Sequence, residues 1–132
     1  PVGRGRRLRE GRDVALVTVG TVGNAAARAA EHAAAQGVEA AHYDLRWVKP
    51  LDTELLDEVG RTFRRVITVE DGCLRGGVGE AVAAYFNARG YDAHVTCLGI
   101  GDAWVEHGTP EQLHALCGYD EESIFRALTQ PV

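Results

Sequence analysis

Methionine is absent from this 132-residue chain, which begins at Pro1. Reading frames open on Met, so the sequence predicts a piece of a longer protein. Lysine is nearly absent too: Lys49 stands alone among fourteen basic residues, the others being Arg, a bias assigned to coding and not to chemistry. Cysteine is sparse. Cys73, Cys97 and Cys117 are far apart and form no CxxC, which excludes a disulfide framework and a zinc site of the usual spacing. They are expected as buried or partly buried thiols in a reducing cytosol. No apolar run approaches the length of a bilayer span and no leader pattern is present, so the expectation is a soluble cytoplasmic protein with no membrane partner. The formal net charge of −5 argues against nucleic acid, whose binders are normally basic.

Catalytic signatures are missing as well. There is no GxSxG, and the five His residues show neither HxxxH nor HxH spacing, so neither a nucleophile elbow nor a zinc motif is present. A GDG…NN pattern, the mark of a Mg-diphosphate site, does not occur. The turn from Gly20 to Gly23 lacks the full GxGxxG and the P-loop lysine. The residues by themselves therefore hold no complete active site.

What is present reads as one ordinary globular domain, 45% apolar and 25% charged. Its centre is the stretch Arg65 to Phe86. The β-branched run Val66-Ile67-Thr68-Val69 meets Glu70 and Asp71, a loop follows with Gly72, Gly76, Gly77 and Gly79, and Val78, Ala81, Val82, Tyr85 and Phe86 then recur at the spacing of one helix face. Carboxylates at the carboxyl end of a strand lie where open α/β sheets place their sites. Asp13–Val19 predicts a central strand, nearly all apolar because both faces are covered. A helix over 24–36 follows, with Thr21 or Asn24 as its cap and Gly37 closing it. Val38–Tyr43 reads as the next strand. Asp52 or Thr53 caps a helix whose face is Leu55, Leu56, Val59 and Phe63. Gly90 caps the helix that ends the central stretch, and Ala93–Leu98 is the last strand. Thr109-Pro110 opens a short helix, and Asp120 caps a final one on Ile124, Phe125 and Leu128. Five strands alternating with about five helices imply a mostly parallel sheet covered on both faces.

Residues 1–5 read as a linker and 6–130 as the domain. Around Leu8, residues 6–10 suggest a short strand, and the tight turn Gly11-Arg12 would pair it antiparallel with the next strand. Arg4, Arg6, Arg7, Arg9 and Arg12 could form a phosphate-binding arm. A charged edge strand is the preferred reading, because Glu10, Asp13 and the acidic whole oppose a polyanion site. Arg46 and Lys49 flank Trp47 just past a strand. They could hold a phosphate or carboxylate, or bond Asp44, Glu70 or a neighbouring domain. Glu106-His107 could be an acid–base pair, with no nucleophile obvious nearby. His32 reads as a solvated or core residue.

Several segments together resemble the C-terminal domain of the transketolase superfamily: Asp44-Leu45-Arg46-Trp47-Val48-Lys49-Pro50-Leu51-Asp52, then Val66–Gly72, then Gly76-Gly77-Val78-Gly79-Glu80-Ala81-Val82. Within that superfamily, Gly99-Ile100-Gly101-Asp102 followed by Glu106-His107-Gly108-Thr109-Pro110-Glu111-Gln112-Leu113 and Gly118-Tyr119-Asp120 is most similar to the 1-deoxy-D-xylulose-5-phosphate synthase family. Gly101 stands where that family would have Pro, and Trp47 and Asp71 replace the more usual Phe and Glu. The resemblance implies a three-layer αβα domain with a five-stranded mixed sheet, its first strand antiparallel. It implies that the full-length enzyme condenses pyruvate with glyceraldehyde 3-phosphate using thiamine diphosphate and Mg2+, both bound by preceding domains, and starts isoprenoid and thiamine precursor synthesis. It implies a homodimer, with partners in the preceding domains of the same chain. No catalytic, cofactor or metal residue is carried over. Arg46, Lys49, Glu70, Asp71, Gly76, Gly77, Gly79 and His107 are the candidates for an interface or for the entrance of a site. The alternatives are the same domain of transketolase itself or of a 2-oxoacid dehydrogenase β subunit, and a stand-alone nucleotide- or phosphate-binding module.

Overall fold

A computed structural model describes residues 3–20, 22–46, 50–70, 77–98 and 121–130. Five strands are present: β1 (Arg6–Arg9), β2 (Val14–Val19), β3 (Ala40–Asp44), β4 (Arg65–Glu70) and β5 (His94–Leu98). Four helices are described: α1 (Gly23–Ala35), α2 (Thr53–Thr62), α3 (Val78–Arg89) and α4 (Glu121–Thr129). The sheet order is β1-β3-β2-β4-β5. All pairs are parallel except β1 with β3.

The alternation along β2 explains the three layers. Val14 and Leu16 face one side, where they pack with the Ala-rich stripe Ala26, Ala29, Ala30 and Ala33 of α1 and with Ile124 and Leu128 of α4. Ala15 and Val17 face the other, against Leu56 and Val59 of α2 and Val78, Val82 and Phe86 of α3. Small side chains on α1 and on β3 (Ala40, Ala41) let helix and sheet approach closely. Burying a side chain such as Leu16 or Phe86 stabilises by roughly 1.5–3 kcal/mol each, so a β2 buried on both faces anchors the fold.

Two elements differ from the sequence expectation. The first strand is antiparallel, as expected, but its neighbour is β3: Arg6 lies opposite Asp44 and Arg7 opposite Tyr43. A hairpin with β2 is not available, because β2 already has β3 on one side and β4 on the other. Gly11 is a crossing point, not a hairpin turn. A Cβ there would lie 2.7 Å from the Ala40 carbonyl oxygen, so only glycine lets the chain pass over the start of β3. The position of β1 at the open edge agrees with its charged composition, and Leu8 is 46% exposed. The second difference is at α1, whose N-cap is Val22 with no side-chain cap; Asn24 lies inside the first turn and Thr21 outside the described residues. The Gln36–Gly37 end (Gly37 φ +87°) and Gly90 (φ +77°) close α1 and α3 in the left-handed manner expected. The short helix expected near Thr109 and the Asp120 cap lie outside the described residues. No helix among the described residues is long and apolar enough to cross a membrane.

Candidate functional site

Because β2, β3 and β4 are parallel, their carboxyl ends share one edge. Thr18 is level with Asp44, and Val19 with Glu70. From β2 the chain goes through α1 to β3 on one side, then crosses to β4 on the other. The ends of β2 and β4 therefore flank the switch point where open sheets build sites. Glu70 occupies it.

Glu70 is not a free carboxylate. Its Oε2 accepts from the backbone N–H of Val78 and, at 3.3 Å, from that of Gly79. It thus caps α3 from the neighbouring strand, a negative charge at the positive end of the helix. The glycines make this possible. A Cβ on Gly77 would sit 2.7 Å from Glu70 Oε2, and one on Gly79 would sit 2.8 Å from both Thr68 Oγ1 and Cys97 Cβ. Both positions have close approaches within the domain itself.

Arg46 has φ of 64°, a left-handed backbone unusual for a non-glycine residue. Its N–H donates to Asp44 Oδ1 at 3.0 Å, closing an Asx turn at the end of β3. The exposed side chain stands at the same edge as Glu70. Asp71, Gly76, Lys49 and His107 lie outside the described residues, as do Trp47 and Glu106. Of the eight candidates, the structure places Arg46, Glu70, Gly77 and Gly79 on the carboxyl edge, and it joins Glu70 directly to the start of α3.

Three features were not anticipated. Thr18 Oγ1 and His42 Nε2 are hydrogen-bonded at 2.9 Å. Both residues are 1% exposed. Burial pushes the His42 pKa down to about 4, with Asp44 opposing and Arg9 adding to the shift, so His42 is a neutral core residue. A hydroxyl beside an imidazole is a nucleophile–base pair in outline, but sealed from any substrate it can do no chemistry. On the other face, Tyr85 and Tyr91 donate to Asp57 Oδ1 at 2.9 and 2.7 Å, and Arg89 Nε lies at 3.4 Å. The Tyr91 hydrogen bond leads in holding the Asp57 carboxyl below its ordinary range. This cluster fastens α2 to α3, and the Asp57/Tyr85 pairing lacks any sequence signature. Finally, Cys97 is exposed, against the expectation of a buried or partly buried thiol. The reason is its place on edge strand β5, beside Gly79. Cys73 and Cys117 lie outside the described residues. His32 is solvated on α1, 3.7 Å from Glu121.

The described residues hold no set for the metal of a diphosphate, and the start of α3 is already occupied. No group of three His, Cys, Asp or Glu side chains among them could hold a metal ion, and the α3 amides that might have met a phosphate are taken by Glu70.

The description of transketolase, C-terminal domain, matches residues 3–124. The chain belongs to the transketolase C-terminal domain family. Curated relatives of this domain include 1-deoxy-D-xylulose-5-phosphate synthase of Bacteroides fragilis, 48% identical over 131 residues, 98% of this chain and 20% of that protein. The synthase of Bacteroides thetaiotaomicron is 48% identical over 129 residues, 97% of this chain and 20% of that one. The transketolase C-terminal domain described here thus spans about a fifth of the length of those relatives. Among solved structures, a split gene transketolase in the form of an inactive beta4 tetramer superposes with a TM-score of 0.85 at 34% identity, over 96% of this chain and 41% of that one. Transketolase from Campylobacter jejuni superposes with a TM-score of 0.63 at 15% identity, over 94% and 18%, a likeness of fold alone.

Proposed function

We propose that this transketolase C-terminal domain serves a thiamine-diphosphate-dependent synthase that condenses pyruvate with glyceraldehyde 3-phosphate, releasing carbon dioxide and 1-deoxy-D-xylulose 5-phosphate. The observation that carries this reading is the 48% identity running over 98% of the chain to a protein of that name. It favours the synthase over transketolase proper or a 2-oxoacid dehydrogenase β subunit. Thiamine diphosphate supplies the carbanion chemistry in such an enzyme. Here it and Mg2+ are assigned to the other domains, because the described residues offer no metal set and Glu70 already holds the amides at the start of α3. The domain's part is to support the assembly, a homodimer in this proposal. Arg46, Glu70 and the Gly77–Gly79 turn form an edge beside the entrance of a site whose chemistry lies elsewhere.

The test is expression of the full-length polypeptide beside residues 3–130 alone, each assayed with pyruvate, glyceraldehyde 3-phosphate, thiamine diphosphate and Mg2+. Deoxyxylulose phosphate is expected from the first and none from the second. Product from the isolated domain, or micromolar binding of a nucleotide to it by calorimetry, would sink the accessory-domain reading.

A further inference from the structure

Asp52 is 6% exposed and uses both carboxylate oxygens on backbone amides far apart in sequence. Oδ1 accepts from Leu55 N–H at 3.1 Å and so caps α2. Oδ2 accepts from Gly5 N–H at 2.8 Å. The second bond lies outside anything a helix cap requires. It ties the start of α2 to the segment through which the polypeptide enters the domain. Arg4 braces the same spot, with Nη1 4.0 Å from Asp52 Oδ1 and 2.9 Å from Glu54 Oε2. Since β1 runs antiparallel to β3 and Arg6 lies opposite Asp44, Gly5 sits at the carboxyl edge of the sheet, the edge that holds Arg46 and Glu70.

We propose that Asp52 is a latch fixing the point and direction of chain entry, so that the preceding part of the longer polypeptide docks over the carboxyl edge of the sheet. This rests on the reading of the chain as one domain of a longer synthase, whose relatives carry about four-fifths of their length outside it. Asp52 is a positioning residue in that proposal; it touches no reacting atom.

One substitution separates the two roles. In Asp52→Asn the side-chain oxygen still caps α2, for which Asn is as good as Asp. Its amide NH2, however, now faces the Gly5 N–H, donor against donor. The experiment uses the full-length polypeptide. The expected result is a melting midpoint close to wild type, tryptic cleavage after Arg4 and Arg6 faster by about tenfold or more, and kcat/KM for pyruvate and glyceraldehyde 3-phosphate lowered about tenfold, since a lost hydrogen bond to a charged acceptor raises the open population by that order. Cleavage within about twofold of wild type would overturn the latch, because protease access tracks that population. Faster cleavage with unchanged kcat/KM would also overturn the proposal, leaving Asp52 a stability element only. If the Asn variant fails to fold, Asp52→Ser carries the same two measurements, as its hydroxyl can cap Leu55 but is too short to hold Gly5. A wild-type polypeptide that makes no deoxyxylulose phosphate would strike the functional reading alone, and the proteolysis would still decide the latch.

Discussion

Two strand–glycine–helix turns stand side by side at the carboxyl edge, and they are built on different physics. In the β4–α3 turn a carboxylate from the strand caps the helix, and Gly77 and Gly79 are glycine because Glu70, Thr68 and Cys97 fill the space a Cβ would need. In the β2–α1 turn the N-cap Val22 gives no side-chain bond. Gly20 has φ of +91°, while a Cβ on Gly23 would meet none of the described residues within 4 Å. Just before this turn, a buried hydrogen bond ties Thr18 of β2 to His42 of β3. Among the described residues, the same pattern in sequence therefore marks a helix start filled by a side chain in one case and an unfilled one in the other.

Acid should pull the two apart most strongly. His42 is held near pKa 4 in the fold, chiefly by desolvation, and returns to about 6.5 on unfolding. Between those values the unfolded chain binds more protons. Stability is complete above pH 6.5 and is lost as pH falls toward 4, by about 3 kcal/mol if the whole shift is expressed. Urea unfolding of wild type and His42→Gln from pH 7 to 4.5 measures it. Equal slopes for the two proteins would show that the β2 side does not rest on a neutral imidazole.

Crowding should strike the other turn. Gly79→Val forces a branched side chain against Cys97 and Thr68, an overpacking expected to destabilise by about 2–3 kcal/mol. A chemical-denaturation midpoint equal to wild type would mean that β5, an edge strand, simply yields.

Removing the cap tests the same turn more gently. Glu70→Ala leaves the Val78 and Gly79 amides without their acceptor and should cost about 1–2 kcal/mol, whereas Glu70→Gln retains an oxygen and should recover part of it. Destabilisation below a few tenths of a kcal/mol for the Ala variant would mean that solvent replaces the carboxylate and that the two turns are less different than their geometry.

The legible parts of this fold were those fixed by local chemistry. The unbroken apolar run of β2 marked a central strand, Asp52 marked the α2 cap, and Gly90 marked the end of α3. The misplaced parts were decided by distant competition. Gly11-Arg12 has the look of a hairpin turn, yet β2 is the most buried strand and needs a neighbour on each edge, so charged β1 is displaced to the outside of β3. Glu70 looked like a site carboxylate because nothing in its own neighbourhood announces that its partners are amides eight and nine residues on. An acid at a strand end followed by a glycine loop and a helix is the signal that could have suggested it. What separates Gly77 from Gly23 is the Glu70 side chain at the end of the preceding strand, for which β2 has no counterpart.

That last pair gives the smallest predicted effect and the sharpest contrast. Gly23 is the first residue of α1, and no described residue lies within 4 Å of where its Cβ would be. Alanine there meets no obstacle, and it narrows the unfolded ensemble and favours the helix, so Gly23→Ala should stabilise by about 0.5–1 kcal/mol. Gly77→Ala places the same methyl against Glu70 and should destabilise instead. The two variants, compared by thermal unfolding in one buffer, ought to move the midpoint in opposite directions. If both lower it, the open space beside Gly23 is occupied by something beyond the described residues, and the β2–α1 turn is as closed as its neighbour.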